Sequence, residues 1–174
     1  EETKKRHPEM NDSKIETIAH SVSVGTIRYE MIKQDLDKII TFDLIKSLSL
    51  DGDTSPYIQY THARASRILE KSGRVPTIDV DFTLLKENSE LDLIKNIGLF
   101  NLQVRDAANN LSPKVIARYC YDLAVSFNSF YEKSKVLGLD DVELENSRLC
   151  LVNSFKIVLE KALDLLGIQA PDRM

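Results

Sequence analysis

Glycine and proline are scarce in this 174-residue sequence, which has six Gly and five Pro. Its apolar residues recur with a helical period, and the two features together predict an all-α fold. No apolar run reaches the ~18 residues that a membrane-spanning helix needs. The polar start of the chain, residues 1–6, is not followed by the hydrophobic stretch of a secretory signal. We therefore expect a soluble protein of the cytoplasm that makes no contact with a membrane.

Signatures of catalysis and metal binding are also missing. The sequence has no Gly-rich phosphate loop, no GxSxG and no HExxH motif. Cys120 and Cys150 lack the spacing of a metal site, so we expect buried thiols in a reducing compartment. His7, His20 and His62 are scattered, which is typical of surface or packing residues. We expect no catalytic residue and no metal site. Because the chain begins without Met, it is expected to be a piece of a longer protein.

Charge is unevenly distributed along the chain. The net charge is −4 and the pI is near 5.4, which counts against a protein that binds nucleic acid through a broad basic surface. Between residues 57 and 74, however, four cations stand against one anion. An acidic protein can therefore still carry a local basic face.

The apolar period and the turn residues predict where the helices lie. Asp12 or Ser13 is a suitable N-cap for the first helix, in which Gly25 marks a close contact or a bend. Residues 39–42 could be extended, and residues 76–82 are expected to form a loop. Helices are predicted at 12–33, in a short segment after Asp43, at 57–71 before Gly73, on either side of Gly98 between 91 and 108, at 112–137 and at 144–166.

Two of these helices should supply the core. Ser112 is the predicted N-cap of the helix at 112–137, with Pro113 in its first turn and Gly138 after its end. The final helix should end at Gly167, and Pro171 prevents its return. Six apolar side chains on these two helices are expected to be buried: Ile116, Leu123, Phe127, Phe130, Phe155 and Leu159.

One face of the helix at 57–71 combines aromatic and basic residues. Successive members are three or four positions apart and so share one side of the helix: Tyr57, Tyr60, Arg64, Arg67 and Lys71. In a single-stranded RNA loop, bases stack on such rings while phosphates contact the cations. The same pattern also fits an ordinary surface face whose long cations cover partly packed tyrosines. Without further context the spacing favours the ordinary surface.

A second face lies on the helix at 112–137. It contains small, aromatic and polar side chains at helical spacing: Ala117, Tyr121, Ala124, Asn128, Tyr131 and Lys135. Periodicity alone favours packing of this face against a neighbouring helix, but the face could instead form a wall that accepts bases. The pattern does not decide between the two.

Several blocks of sequence resemble class I arginyl-tRNA synthetases. The most specific is Asp-Gly-Asp-Thr-Ser-Pro-Tyr-Ile-Gln-Tyr-Thr-His-Ala-Arg at residues 51–64. Residues 24–29 and 41–43 match the same family upstream, in the same order. Residues 124–131 are similar to the long helix of the DALR anticodon-binding domain, and residues 165–174 are similar to the end of the family's chains. The resemblance covers nearly the whole sequence.

The resemblance implies an arrangement in two parts. Residues 1–52 would be the tail of a catalytic region, forming a stem, and residues 53–174 an all-α DALR anticodon-binding bundle. The parent enzyme would attach arginine to its tRNA using ATP and Mg²⁺. This chain lacks the two ATP-binding loops of such enzymes, so we expect it to hold no cofactor and to be inactive alone. Its expected partners are the anticodon stem-loop of arginine tRNA and the parent's catalytic domain, and it is expected to be a monomer.

The resemblance also implies which residues contact tRNA. Family positions correspond to Tyr57, Tyr60, Arg64, Tyr131 and Met174. The helix faces add three cations as further predicted tRNA contacts: Arg67, Lys71 and Lys135. A helical protein-interaction domain that binds no RNA is the alternative.

Two positions depart from the family pattern, and one surface is expected to be uncovered. Leu44 stands where many members carry Trp, and Lys135 where some place an aromatic residue. If the catalytic region normally covers the stem, Ile27, Met31 and Phe42 should form an exposed apolar patch.

Overall fold

The computed structural model describes residues 11–35 and 38–174, and this part of the chain is all-α. It contains seven α-helices and no strand, as the sequence predicted. The helices are α1 (Asp12–Ile32), α2 (Leu44–Ser47), α3 (Ser55–Ser72), α4 (Asn88–Gly98), α5 (Phe100–Asn109), α6 (Lys114–Lys133) and α7 (Val142–Leu165). A short 3-10 helix, Phe82–Leu84, lies in the loop between α3 and α4. No helix in these residues is long and apolar enough to cross a membrane.

The N-cap of helix α1 lies one residue before the predicted position. It is Asn11 rather than Asp12 or Ser13, because the Asn11 side chain accepts a hydrogen bond from the Lys14 amide at 2.9 Å. Gly25 marks a close contact and not a bend. A Cβ atom there would lie 2.9 Å from Ser55 Oγ and 3.1 Å from Ile168 Cγ2, so α1 and α3 can pack only around a glycine.

Helix α3 begins two residues before the predicted start. Thr54 is the N-cap, and its hydroxyl oxygen accepts from the Tyr57 amide at 3.3 Å. Pro56 lies in the first turn, where its missing N–H costs nothing. Gly73 ends the helix in the left-handed conformation, with φ of 61°. Ile58 and Ala65 are fully buried on the side of α3 that faces the core.

Both predicted ends of α6 were wrong. Ser112 does not cap with its side chain; its carbonyl accepts from the Val115 amide at 3.2 Å instead. The helix ends at Lys133 rather than Leu137, because Ser134 is extended, with φ −121° and ψ 119°. This break lets Val136 enter the core and leaves the Lys135 carbonyl to accept from Arg148 Nη1 at 2.8 Å. A distant partner therefore decides where α6 ends.

The hydrophobic core lies between α6, α7 and the inner side of α3. All six side chains predicted to be buried are at most 4% exposed. The rings of Phe127 and Phe155 stack with their centres 4.0 Å apart. Cys120 and Cys150 are buried, as expected, and form no disulfide. Helix α7 starts slightly earlier than predicted because Asp141 caps it, accepting from the Leu144 amide at 3.0 Å.

Helices α3 and α6 lie side by side and run in the same direction. Three contacts occur in the same order along both helices. The Tyr57 and Tyr121 rings are 5.8 Å apart, Asn128 Nδ2 donates to Thr61 Oγ1 at 3.2 Å, and the Arg64 guanidinium lies over the Tyr131 ring. This alignment brings the two predicted helix faces together.

The N-terminal part is held to the bundle but poorly covered. The Tyr29 side chain is fully buried, and its hydroxyl donates to Asp53 Oδ1 at 2.5 Å. By contrast, Ile27 is 52% exposed, Met31 48% and Phe42 41%, as expected for an uncovered patch. Leu44 is exposed as well. Residues 39–42 form no strand.

Two predictions on this part remain open. The division at residues 52 and 53 stays a prediction, and His7 lies outside the described residues.

Candidate nucleic-acid interface

An open groove of about 660 Å³ runs along α3. Its walls are α3, the last turn of α6 with residues 134–137, and the C-terminal residues 172–174. Seven of the eight residues predicted to contact tRNA line this groove: Tyr60, Arg64, Arg67, Lys71, Tyr131, Lys135 and Met174. Three segments that are distant in sequence thus meet at one surface.

Tyr57 is the predicted residue that does not line the groove. Its hydroxyl accepts a hydrogen bond from Asn128 Nδ2 at 2.8 Å, and its ring packs against Tyr121. Each helical residue turns by about 100°, so Tyr57 falls at the edge of the stripe, on the side toward α6. The structure thus places Tyr57 in the contact between two helices.

Arg64 lies at the centre of the groove's aromatic end. Its guanidinium carbon is 5.1 Å from the centre of the Tyr60 ring and 5.2 Å from that of Tyr131. Its Nη1 donates to Asn128 Oδ1 at 2.6 Å. Cation–π attraction to the two rings and a hydrogen bond therefore act together on one cation.

Tyr131 and Lys135 occupy the α6 side of the groove in different ways. Tyr131 is 43% exposed, and its ring lies nearly parallel to the buried ring of Phe127, at 12° and 6.5 Å. Lys135 Nζ donates to the carbonyl of Gly138 at 2.6 Å. The ring is thus offered to the groove, while the ammonium group folds back onto its own turn.

Comparison with known sequences identifies the family. Residues 58–174 match the family described as the DALR anticodon binding domain. The chain belongs to this family. Among curated relatives, the arginine–tRNA ligase of Methanothrix thermoacetophila is 40% identical over 173 residues, or 99% of this chain and 31% of that protein. The arginine–tRNA ligase of Clostridium botulinum is 37% identical over 97% of this chain and 30% of its own length.

Solved structures show the same likeness. The arginyl-tRNA synthetase of Thermus thermophilus superposes with a TM-score of 0.89 at 36% identity, covering 99% of this chain and 29% of that one. The arginyl-tRNA synthetase of Plasmodium falciparum gives a TM-score of 0.83 at 28% identity, covering 98% and 30%. The chain therefore spans about 30% of the length of the relatives it matches.

The structure divides the second helix face of this DALR domain between a helix contact and the groove. Ala117 and Ala124 are fully buried, and Tyr121 packs against Tyr57, so most of the face is a helix contact. Tyr131, near the end of the face, lines the groove. Asn128 was not predicted as a site residue. A polar side chain on an otherwise small and aromatic face was the available signal, but its partners became visible only with the helix packing.

The far end of the DALR domain's groove holds two exposed cations, Arg67 and Lys71. Within residues 11–35 and 38–174, neither forms an ion pair with a carboxylate. This end therefore offers positive charge on exposed side chains, which suits phosphate contacts.

The C-terminal residues of the DALR domain lie along α3 in the same direction as the helix. Four side chains of α3 bind them in order: Gln59 Nε2 donates to the Gln169 carbonyl at 2.8 Å, His62 Nδ1 contacts the Pro171 carbonyl at 3.0 Å, Ser66 Oγ donates to Asp172 Oδ1 at 2.8 Å, and Glu70 pairs with Arg173. These bonds bring Met174 to the groove.

His62 is the buried member of this series. It is 1% exposed, and burial lowers the pKa of its ring. The Pro171 carbonyl can only accept a hydrogen bond, so the neutral ring donates to it from Nδ1. His62 is therefore a packing residue that fixes the tail.

Proposed function

We propose that this DALR domain is part of an arginine–tRNA ligase and binds the anticodon stem-loop of arginine tRNA in the cytoplasm. The observation that carries the proposal is the cluster of Arg64, Tyr60 and Tyr131 in an open groove, with further cations beside it. The similarity to arginine–tRNA ligases along nearly the whole chain supports the choice of RNA.

Each part of the groove suits a different part of an RNA loop. Unstacked bases would stack on the rings of Tyr60 and Tyr131, because aromatic faces accept any base. Arg64 would supply a charged contact to a base edge or a phosphate. Met174 would offer an adaptable apolar contact at the end of the groove. The cations Arg67 and Lys71 would contact the backbone of the RNA.

Arginine activation would take place in another part of the ligase. The ATP-binding loops of class I synthetases are not in this sequence, so ATP and Mg²⁺ would bind outside this chain. The exposed side chains of Ile27, Met31 and Phe42 would pack against that part. The ligase would act as a monomer.

A binding titration tests this proposal. The 174-residue chain is titrated with a fluorescent anticodon stem-loop of arginine tRNA and with a control stem-loop of equal length that carries another anticodon. We expect tighter binding of the arginine stem-loop, and a steep loss of affinity as salt rises. Equal binding of both RNAs, or of neither, would refute the proposal. Affinity for a protein partner that barely changes with salt would support a protein-interaction domain instead.

A further inference from the structure

Asn128 joins α6 to α3 through three hydrogen bonds. Its Nδ2 donates to the Tyr57 hydroxyl at 2.8 Å and to Thr61 Oγ1 at 3.2 Å, and its Oδ1 accepts from Arg64 Nη1 at 2.6 Å. The Thr61 hydroxyl donates to the Tyr57 carbonyl, so toward Asn128 it can only accept. This fixes the amide with its oxygen toward Arg64, because the reverse orientation would set two donors against each other.

The chemical nature of this acceptor distinguishes Arg64 from the arginines of the chain that pair with carboxylates. Arg118 pairs with the carboxylate of Asp122 at 3.0 Å, and Arg148 with that of Glu90 at 2.7 Å. Arg64 is bonded instead to a neutral amide, and among the described residues no carboxylate pairs with it. An amide oxygen fixes the direction of a guanidinium group and leaves its positive charge uncompensated.

The position held in this way is the one that matters for the groove. Arg64 lies over both Tyr60 and Tyr131, which come from different helices. An arginine side chain has many rotamers, and ordering it only when a ligand arrives would weaken binding. The bond to Asn128 holds a rotamer that contacts both rings.

We infer that Asn128 is a positioning residue for RNA recognition, which holds Arg64 over both tyrosines before RNA binds and keeps its charge available. The inference rests on the proposed function of the groove, since the ligand it serves is the anticodon stem-loop. Asn128 acts through Arg64 and need not contact the RNA.

A double-mutant cycle tests this dependence. Stem-loop affinity is measured for the wild type, Asn128→Ala, Arg64→Ala and the double variant. We expect Asn128→Ala to weaken binding roughly tenfold in the wild type and less than about twofold when Arg64 is already absent. The same fold loss in both backgrounds would mean that Asn128 only supports the fold, and would overturn the inference.

Asn128→Asp separates position from charge and serves as a second variant if the alanine variant does not fold. The carboxylate still accepts from Arg64 but compensates its charge. We expect weaker RNA binding and a salt slope smaller by about one unit. Asn101→Asp is the matched control. Asn101 is exposed on α5, so this substitution adds the same charge away from the groove. If Asn128→Asp behaves like the control, the inference is wrong.

An NMR measurement without RNA completes the test. Ring currents from Tyr60 and Tyr131 should displace the Arg64 Nε–Hε signal in the wild type and in Asn128→Asp, and less so in Asn128→Ala. An unchanged signal in Asn128→Ala would overturn the positioning role while the proposed function stands. A wild-type chain that binds neither stem-loop would overturn the proposed function, and with it the role of Asn128 in RNA recognition.

Discussion

The two ends of the groove are built differently although both carry positive charge. At the aromatic end, Arg64 lies over two rings and is fixed by Asn128. At the other end, Arg67 and Lys71 are exposed, and no ion pair with a described carboxylate holds them. The first arrangement specifies the position of a charge, whereas the second only raises the local potential.

On the proposed function, this difference would explain how an acidic chain binds RNA. With a pI near 5.4, the domain has no broad basic field to attract phosphates. Recognition by a fixed cation between aromatic rings would not require a high net charge on the domain, because stacking and hydrogen bonds would supply most of the specific contact. A few exposed cations beside it would add affinity that depends on salt.

The largest expected effect concerns residues 134–137, which form the α6 side of the groove at both of its ends. Residues 134–137 are held by Arg148, which donates to the Lys135 carbonyl and pairs with the fully buried Glu90. Arg148→Ala leaves that carboxylate buried without its partner, so we expect the free energy of unfolding in urea to fall by about 3–5 kcal/mol. Arg118→Ala breaks an exposed pair and should cost less than about 1 kcal/mol. If both variants lost the same free energy of unfolding, residues 134–137 would not depend on the buried pair.

The second largest effect is expected at the aromatic end of the groove. Tyr60→Ala and Tyr131→Ala should each weaken binding of the arginine stem-loop by about tenfold or more, since a base–aromatic stack contributes about 1–3 kcal/mol. Both variants should keep their helical circular dichroism spectrum. Tyr60→Phe is the control, because it retains the ring face and should bind nearly as the wild type does. Wild-type affinity in both alanine variants would mean that these tyrosines are ordinary half-exposed packing residues and do not bind RNA.

Local signals were sufficient for most of the helices. Periodic apolar residues predicted α3, α6 and α7 and six of their buried side chains, because burial on one helix face needs only a local pattern. The prediction of the end of α6 was wrong because this end depends on Arg148, which lies thirteen or more residues further along the chain. No local rule contains that partner.

The groove shows the same limit. Spacing on α3 and α6 and the resemblance together predicted seven residues that line it. Tyr57 was misplaced because a stripe of residues three and four apart is wide enough for its edge to face a neighbouring helix. Asn128 was missed as a site residue because its function depends on the parallel alignment of α3 and α6, which the periodicity of either helix does not reveal.

A smaller effect is expected at the cationic end. Lys71→Ala should weaken stem-loop binding by less than tenfold and lower the slope of log affinity against log salt by about one, as expected for one phosphate contact. Lys161→Ala removes the same charge from the exposed side of α7, away from the groove, and should leave the slope unchanged. A change in the anticodon preference of Lys71→Ala would contradict the division between a specifying end and a charged end.

The smallest expected effect concerns the tail that brings Met174 to the groove. Burial lowers the pKa of His62, so the unfolded chain binds a proton more readily than the folded chain does. Stability that depends on neutral His62 is therefore present above the ordinary histidine pKa of about 6.5 and is lost as the pH falls below it. Lys156, Asp172 and Glu160 also act on the ring, but burial is the largest cause.

Thermal unfolding of the wild type and His62→Gln measures this effect. Between about pH 7.5 and about pH 5.5, the Tm of the wild type should fall more than that of His62→Gln, which has no group to protonate at this site. Glutamine is close to histidine in size and keeps an N–H donor at both pH values. Parallel loss of Tm in the two proteins would mean that His62 does not titrate with unfolding. The tail, and Met174 with it, would then be held independently of pH.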